Sequence, residues 1–182
     1  MNRNYFLLHN LILKGMKYLK KKEQFYTVRG YQMLNAENKS LTSSMEDYLE
    51  MIYRICKEEG YARVNQLAEM LNVRPPSTTK VIQKLNELGL VDYEKYGIIQ
   101  LTEEGKSIGG FLLKRHEIIE EFLRILGIEE TRLKDTEMIE HDVSLNALKS
   151  IYVLNEFLSG NPDIMERYEA FRKRYSVDDI VL

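Results

Sequence analysis

A chain of 182 residues, 44% hydrophobic and 30% charged, has room for one ordinary domain or two small ones and reads as soluble and globular. Its single cysteine, Cys56, excludes an internal disulfide and a thiolate-rich zinc or iron–sulfur site, and fits a reducing compartment. The net charge of −2 is unevenly spread: residues 1–40 hold eight Lys/Arg against two Asp/Glu, which leaves eighteen against twenty-six for the rest, an acidic body that by itself disfavours phosphate-rich partners.

The first forty residues open on an apolar run, Tyr5 to Leu13. His9 and Asn10 interrupt it, Lys14 follows it, and no small-residue cleavage pattern precedes Lys20-Lys21-Lys22, so it makes a poor secretion signal. No stretch approaches the ~18 consecutive apolar residues of a membrane span. A cytoplasmic protein without a membrane partner is expected, with residues 1–40 as a basic N-terminal extension: a flexible arm, a lone helix, or residues upstream of the usual start.

Only three prolines and ten glycines punctuate the chain, and the stretches between them are rich in Leu, Glu, Lys and Ile, which predicts a mainly α-helical protein. Ser43 with Glu46 has the spacing of a capping box, and Met45, Tyr48, Leu49, Ile52, Tyr53 and Cys56 continue a helical stripe that Gly60 closes. Cys56 reads as a small buried hydrophobe of that helix. A short helix, Val64 to Leu71, comes next. Asn72-Val73-Arg74-Pro75-Pro76 then forces a break, with Pro76 placed to start another helix that runs to about Leu88 and stops at Gly89. Two β-like runs, Leu90 to Tyr93 and Ile98 to Leu101, are joined through Glu94-Lys95-Tyr96-Gly97.

Helix, helix, turn, helix, hairpin is the order of a winged helix-turn-helix, in which the helix after the turn enters the major groove. Here that helix holds Val81, Ile82 and Leu85 for the core. Its other face offers Thr78, Thr79 and Gln83 to base edges, with Lys80 and Lys84 for phosphates, and Arg74 and Ser77 join the candidate DNA-binding set. From Met70 to Asn86 there is no acidic residue, so this patch is positive within an acidic body. A solvated helix face bearing a few lysines is the bland alternative.

Thr102 is placed to cap a long helix to Leu126, with Gly127 as its stop. Its stripe of Ile108, Phe111, Leu112, Ile118, Ile119, Phe122 and Leu123 is core or dimer interface. Further helices are predicted from about Glu130 to His141, Ser144 to Leu158 and Pro162 to Tyr175. Tyr152, Leu154, Phe157, Ile164, Tyr168 and Phe171 exceed what one thin layer needs, which points to a homodimer. The expected domains are a winged helix-turn-helix over 41–109 and a helical metal-binding and dimerisation domain over 110–182.

Six residues in three segments have the spacing of metal ligands: Asp47 and Glu50, then His116, then Glu137, Glu140 and His141. Residues three and four apart are neighbours on a helix, and two carboxylates so placed repel unless a cation lies between them. Taken singly, each cluster is as readily exposed surface charge. Carboxylate oxygens and imidazoles without sulfur suit Mn²⁺, although raw affinity would also admit Zn²⁺ or Co²⁺. A carboxylate-bridged dimetal enzyme, and a winged-helix regulator answering an organic ligand, are the competing readings.

The stretches Ser44–Tyr53, Gly60–Val64, Thr79–Leu85, Tyr93–Tyr96, Arg115-His116-Glu117 and Ile139-Glu140-His141 together resemble the diphtheria-toxin-repressor family, in its manganese-responsive branch, from about Ser43 to Leu158. The resemblance implies a metal-dependent dimeric repressor that binds a double-stranded DNA operator and takes two Mn²⁺ per subunit, controls manganese uptake genes and is not an enzyme. It implies that all six candidates are metal ligands. The iron-responsive branch has methionine at the position matching Asp47 and cysteine at that matching Glu137, so carboxylates at both imply manganese. The hairpin tip is a residue shorter than in the family pattern, and Asp142 stands where a second histidine is similar to that pattern.

Overall fold

The computed structural model describes residues 41–93 and 97–174. The basic extension 1–40 and the wing turn Glu94-Lys95-Tyr96 lie outside the described residues, as does Tyr175. Elements follow in the order α1 (Ser43–Glu59), β1 (Ala62–Arg63), α2 (Val64–Met70), α3 (Pro75–Glu87), β2 (Val91–Tyr93), β3 (Ile98–Leu101), α4 (Glu103–Leu126), α5 (Arg132–Glu140), α6 (Leu145–Ser159) and α7 (Pro162–Arg172). The described chain divides into two compact units, one up to Lys114 and one from Arg115 onward. The architecture is mainly helical, as the sequence predicts.

In the first unit, the N-cap of α1 lies one residue before the expected one. Thr42, with extended backbone, is the N-cap, and its Oγ1 accepts from the Met45 amide at 3.3 Å. The Ser43/Glu46 box is therefore not the device in use. Gly60 closes the helix at φ 84°, a conformation that side chains with a Cβ rarely adopt. The turn between α2 and α3 passes through Asn72 at φ 53°, the left-handed region that asparagine tolerates best after glycine. Helix α3 starts at Pro75, where the missing N–H costs nothing, rather than at Pro76.

The expected hairpin is the larger part of a three-stranded antiparallel sheet of order β1-β3-β2. Val91 pairs with Leu101 and Tyr93 with Ile99, while the two-residue strand β1 adds Ala62 opposite Ile99. So short a strand has no periodicity for a sequence to reveal. Leu49, Ile52, Leu67, Ile82, Leu85, Leu90, Ile99, Ile108 and Leu112 are fully buried and form the apolar interior of these elements. Thr102 Oγ1 accepts from the Gly105 amide at 3.0 Å and opens α4, and Gly127 ends it at φ 79°.

In the second unit Ser144 caps α6, its Oγ accepting from the Ala147 amide at 3.2 Å. Asn155, buried on that helix, donates from Nδ2 to the Ile118 carbonyl at 2.9 Å, tying α6 to α4. Arg172 on α7 donates from Nη1 to the Leu126 carbonyl at 2.8 Å, satisfying a carbonyl at the end of α4 that the helix leaves over.

Candidate functional site

Four of the six predicted metal ligands come together in the second unit. His116 comes from α4, Glu137 and Glu140 from α5, and His141 from the residue that ends α5. The 3.6-residue period brings Glu137, Glu140 and His141 to one side of α5, and one donor atom from each lies within 4.8 Å of the others. His116 Nδ1 is 3.1 Å from Glu140 Oε2 and 3.7 Å from Glu137 Oε1, and His141 Nε2 is 3.9 Å from Glu140 Oε1.

Glu140 is 2% exposed and His116 5%. A carboxylate so far from water needs positive charge or several donors around it, and two oxygen-bearing side chains beside two imidazoles form a donor set that fits a hard divalent cation. Sulfur contributes nothing to it. Asp47 and Glu50 stand in the first unit, three apart on α1, Asp47 half-buried and Glu50 buried. Glu50 is engaged by Arg54 one turn on, whose Nη2 lies 2.7 Å from Oε1.

The predicted DNA face of α3 requires one correction. Thr78 has no exposed surface: its hydroxyl lies 3.3 Å from the Tyr48 hydroxyl and 3.4 Å from the Arg74 carbonyl, pointing into the packing of α1 against α3. It is thus removed from the base-reading set, because position 78 shares the buried side of the helix with Ile82 and Leu85. Arg74, Ser77, Lys80, Gln83 and Lys84 are exposed, and Thr79 is half-buried with its hydroxyl donating to the Pro75 carbonyl at 3.1 Å. Beside the start of α3 an open groove of about 670 Å³ is lined by Asn65 and Gln66 of α2, Pro75 and Thr79, and Tyr93 and Gly97 of the hairpin. Sequence reasoning passed over Asn65 and Gln66, whose position at the first turn of α2 gives no periodic signal.

Two family models match this chain: the iron dependent repressor N-terminal DNA binding domain over residues 40–99, and the iron dependent repressor metal binding and dimerisation domain over 102–169. The chain belongs to the iron-dependent repressor family. Within that family it falls in the manganese-responsive branch. It is 43% identical over 137 residues to the HTH-type transcriptional regulator MntR of Lysinibacillus sphaericus (strain C3-41), a match covering 75% of this chain and 99% of the relative. To the MntR of Bacillus subtilis (strain 168) it is 50% identical over 111 residues, 60% of this chain and 78% of the relative. A solved structure described as a manganese-dependent transcriptional repressor complex with manganese is similar at 30% identity and a TM-score of 0.55, over 62% of this chain and 53% of that one. The chain spans about half the length of such solved family structures. Membership makes it a DNA-binding transcriptional regulator with a metal-binding and dimerisation domain, and not an enzyme, which removes the carboxylate-bridged dimetal enzyme reading. No helix among the described residues is long and apolar enough to cross a membrane.

Proposed function

We propose that this family member is a cytoplasmic, homodimeric repressor that responds to Mn²⁺, binds an operator through α3, and controls manganese uptake genes. One observation carries the metal reading: the buried pair of His116 and Glu140, with Glu137 and His141 close by, in a cluster without sulfur. Residues 41–109 serve as the DNA-binding domain and 110–182 as the metal-binding and dimerisation domain. Asp47 and Glu50 complete the ligand set, giving four carboxylates and two imidazoles, enough for two ions per subunit.

When bound, Mn²⁺ supplies positive charge to an acidic body and a demand for oxygen and nitrogen donors in fixed number. Asp47 and Glu50 belong to the helix that packs on α3, whereas the other four ligands follow the wing, so ligation by both sets makes DNA affinity depend on occupancy. Differential binding to the competent state is all that such coupling requires. Half-sites about one helical turn apart then select dimers whose recognition helices match that spacing. Leu133, Met138, Val153, Leu154, Phe157 and Phe171 expose apolar surface in the second unit, which supports pairing of subunits there.

Melting temperature and operator titration, each in chelator and in Mn²⁺, test the reading. Mn²⁺ is expected to raise the first and tighten the second together, as linkage requires. Equal operator affinity in both conditions would remove Mn²⁺ as the signal and favour a regulator answering an organic ligand.

A further inference from the structure

Each unit holds one of the assigned ligands in the grip of an arginine. In the first, Glu50 Oε1 accepts from Arg54 Nε at 3.0 Å and from Nη2 at 2.7 Å. In the second, Arg115 Nη2 lies 3.2 Å from His141 Nδ1. Arg115 is only 6% exposed, and the contact itself is part-buried.

A guanidinium has donors and no acceptor, which fixes the direction of the second contact. Arg115 donates, His141 Nδ1 presents its lone pair, and the ring proton sits on Nε2. The two arginine contacts differ in consequence. A carboxylate has several lone pairs, so Glu50 can keep Arg54 and still bind a cation. An imidazole that retains its proton has one lone pair, and Arg115 occupies it.

We propose that Arg115 is a latch on His141: a resident cation that holds the imidazole lone pair in the metal-free chain and must release it before His141 can ligate. The inference rests on the reading of His141 as a ligand. Guanidinium and metal compete for one lone pair, and both are cations, so occupancy by one disfavours the other. The latch raises the free-metal concentration at which the site fills without altering any ligand. It also fixes the His141 ring while the site waits, in the way that a hydrogen bond to one ring nitrogen sets the state of the other.

The test uses the full chain. Imidazole ¹⁵N spectra of the metal-free protein are expected to show His141 with Nδ1 unprotonated and Nε2 protonated, a preference that Arg115→Met removes. Calorimetric titration with Mn²⁺ should show Arg115→Met binding more tightly by roughly tenfold, the equilibrium equivalent of one charge-assisted hydrogen bond. That gain should persist at high salt, because buried contacts are screened little. Melting in chelator checks that the variant folds. If it does not, Arg115→Lys, which keeps the charge and loses the planar fork, should give a smaller gain of the same sign. Unchanged or weaker Mn²⁺ binding by the folded variants would make Arg115 a scaffold that orients His141 and overturn the latch, as would an Nδ1–H tautomer of His141 in the metal-free chain. Wild-type protein that takes up no Mn²⁺ would instead overturn the metal site itself.

Discussion

Tyr48 and Thr78 join hydroxyls at 3.3 Å inside the first unit, linking the helix that carries Asp47 and Glu50 to the recognition helix. The pair is buried, so the Tyr48 hydroxyl relies on Thr78 in place of water, while the Thr78 hydroxyl also has the Arg74 carbonyl. Tyr48→Phe and Thr78→Val should each destabilise the metal-free protein by about 1 kcal/mol, and the double variant by less than the sum, because the second change strands no partner. Denaturant midpoints measure this. A Thr78→Val protein of native stability that binds operator with altered base preference would place Thr78 at the DNA after all.

On the exposed side of α3 the residue types divide by role. Lys84→Ala is expected to weaken binding to every DNA sequence and to lower the salt slope by about 1, the signature of one lost phosphate contact. Gln83→Ala should instead narrow the gap between operator and random DNA, and Thr79→Ala should do so less, since that hydroxyl is already engaged with Pro75. Titrations of both DNAs across salt concentrations separate the effects, and indifference to all three changes would mean that another element reads the operator.

Metal selectivity should follow donor type at two positions. Asp47→Met combined with Glu137→Cys is expected to move the response from Mn²⁺ toward Fe²⁺ or Co²⁺, since a thioether and a thiolate replace hard oxygens while the histidines, Glu50 and Glu140 remain. DNA binding across a metal series at fixed free-ion concentration reads it out. An unchanged ranking would show that selectivity is set by other residues.

Burial pushes the Cys56 thiol above its ordinary value, more than the nearby backbone hydrogen bond and the Lys106 charge pull it down. The native state therefore favours the protonated thiol: its contribution is fully present below the unfolded value of about 8.5 and is lost as pH rises through the higher folded value. Slow alkylation is the consequence, because the thiolate is the nucleophile. At about pH 8 iodoacetamide should modify the native protein far more slowly than the same protein in denaturant. Equal rates would place the thiol in water.

Gly127 carries two constraints, a left-handed φ of 79° and the Arg172 guanidinium in the space where a Cβ would be. Gly127→Ala should cost on the order of 1–3 kcal/mol through backbone strain and loss of the Arg172 bond to Leu126. Arg172→Ala, which removes the clash and the bond without the strain, should cost less. Melting of the two variants orders the effects.

Much of this protein is local and was therefore legible. Helical period, proline and glycine placement, and Thr102 as a cap all act within a few residues, so the helix-helix-turn-helix-hairpin order followed from sequence, and the spacing of Glu137, Glu140 and His141 foretold their shared side of α5. The Glu50–Arg54 pair, four apart, was equally readable. The family resemblance supplied an expectation that spacing left open: that the three ligand clusters act as one set. Tertiary structure decided what depends on residues distant in the chain. It turned Thr78 inward, because which side of an amphipathic helix is buried at its margin depends on the partner, here Tyr48, thirty positions earlier. It added β1, whose two residues are a strand only through pairing with β3. It also brought Arg115 to His141 across twenty-six positions, a contact with no local signal because it forms only between residues distant in the chain.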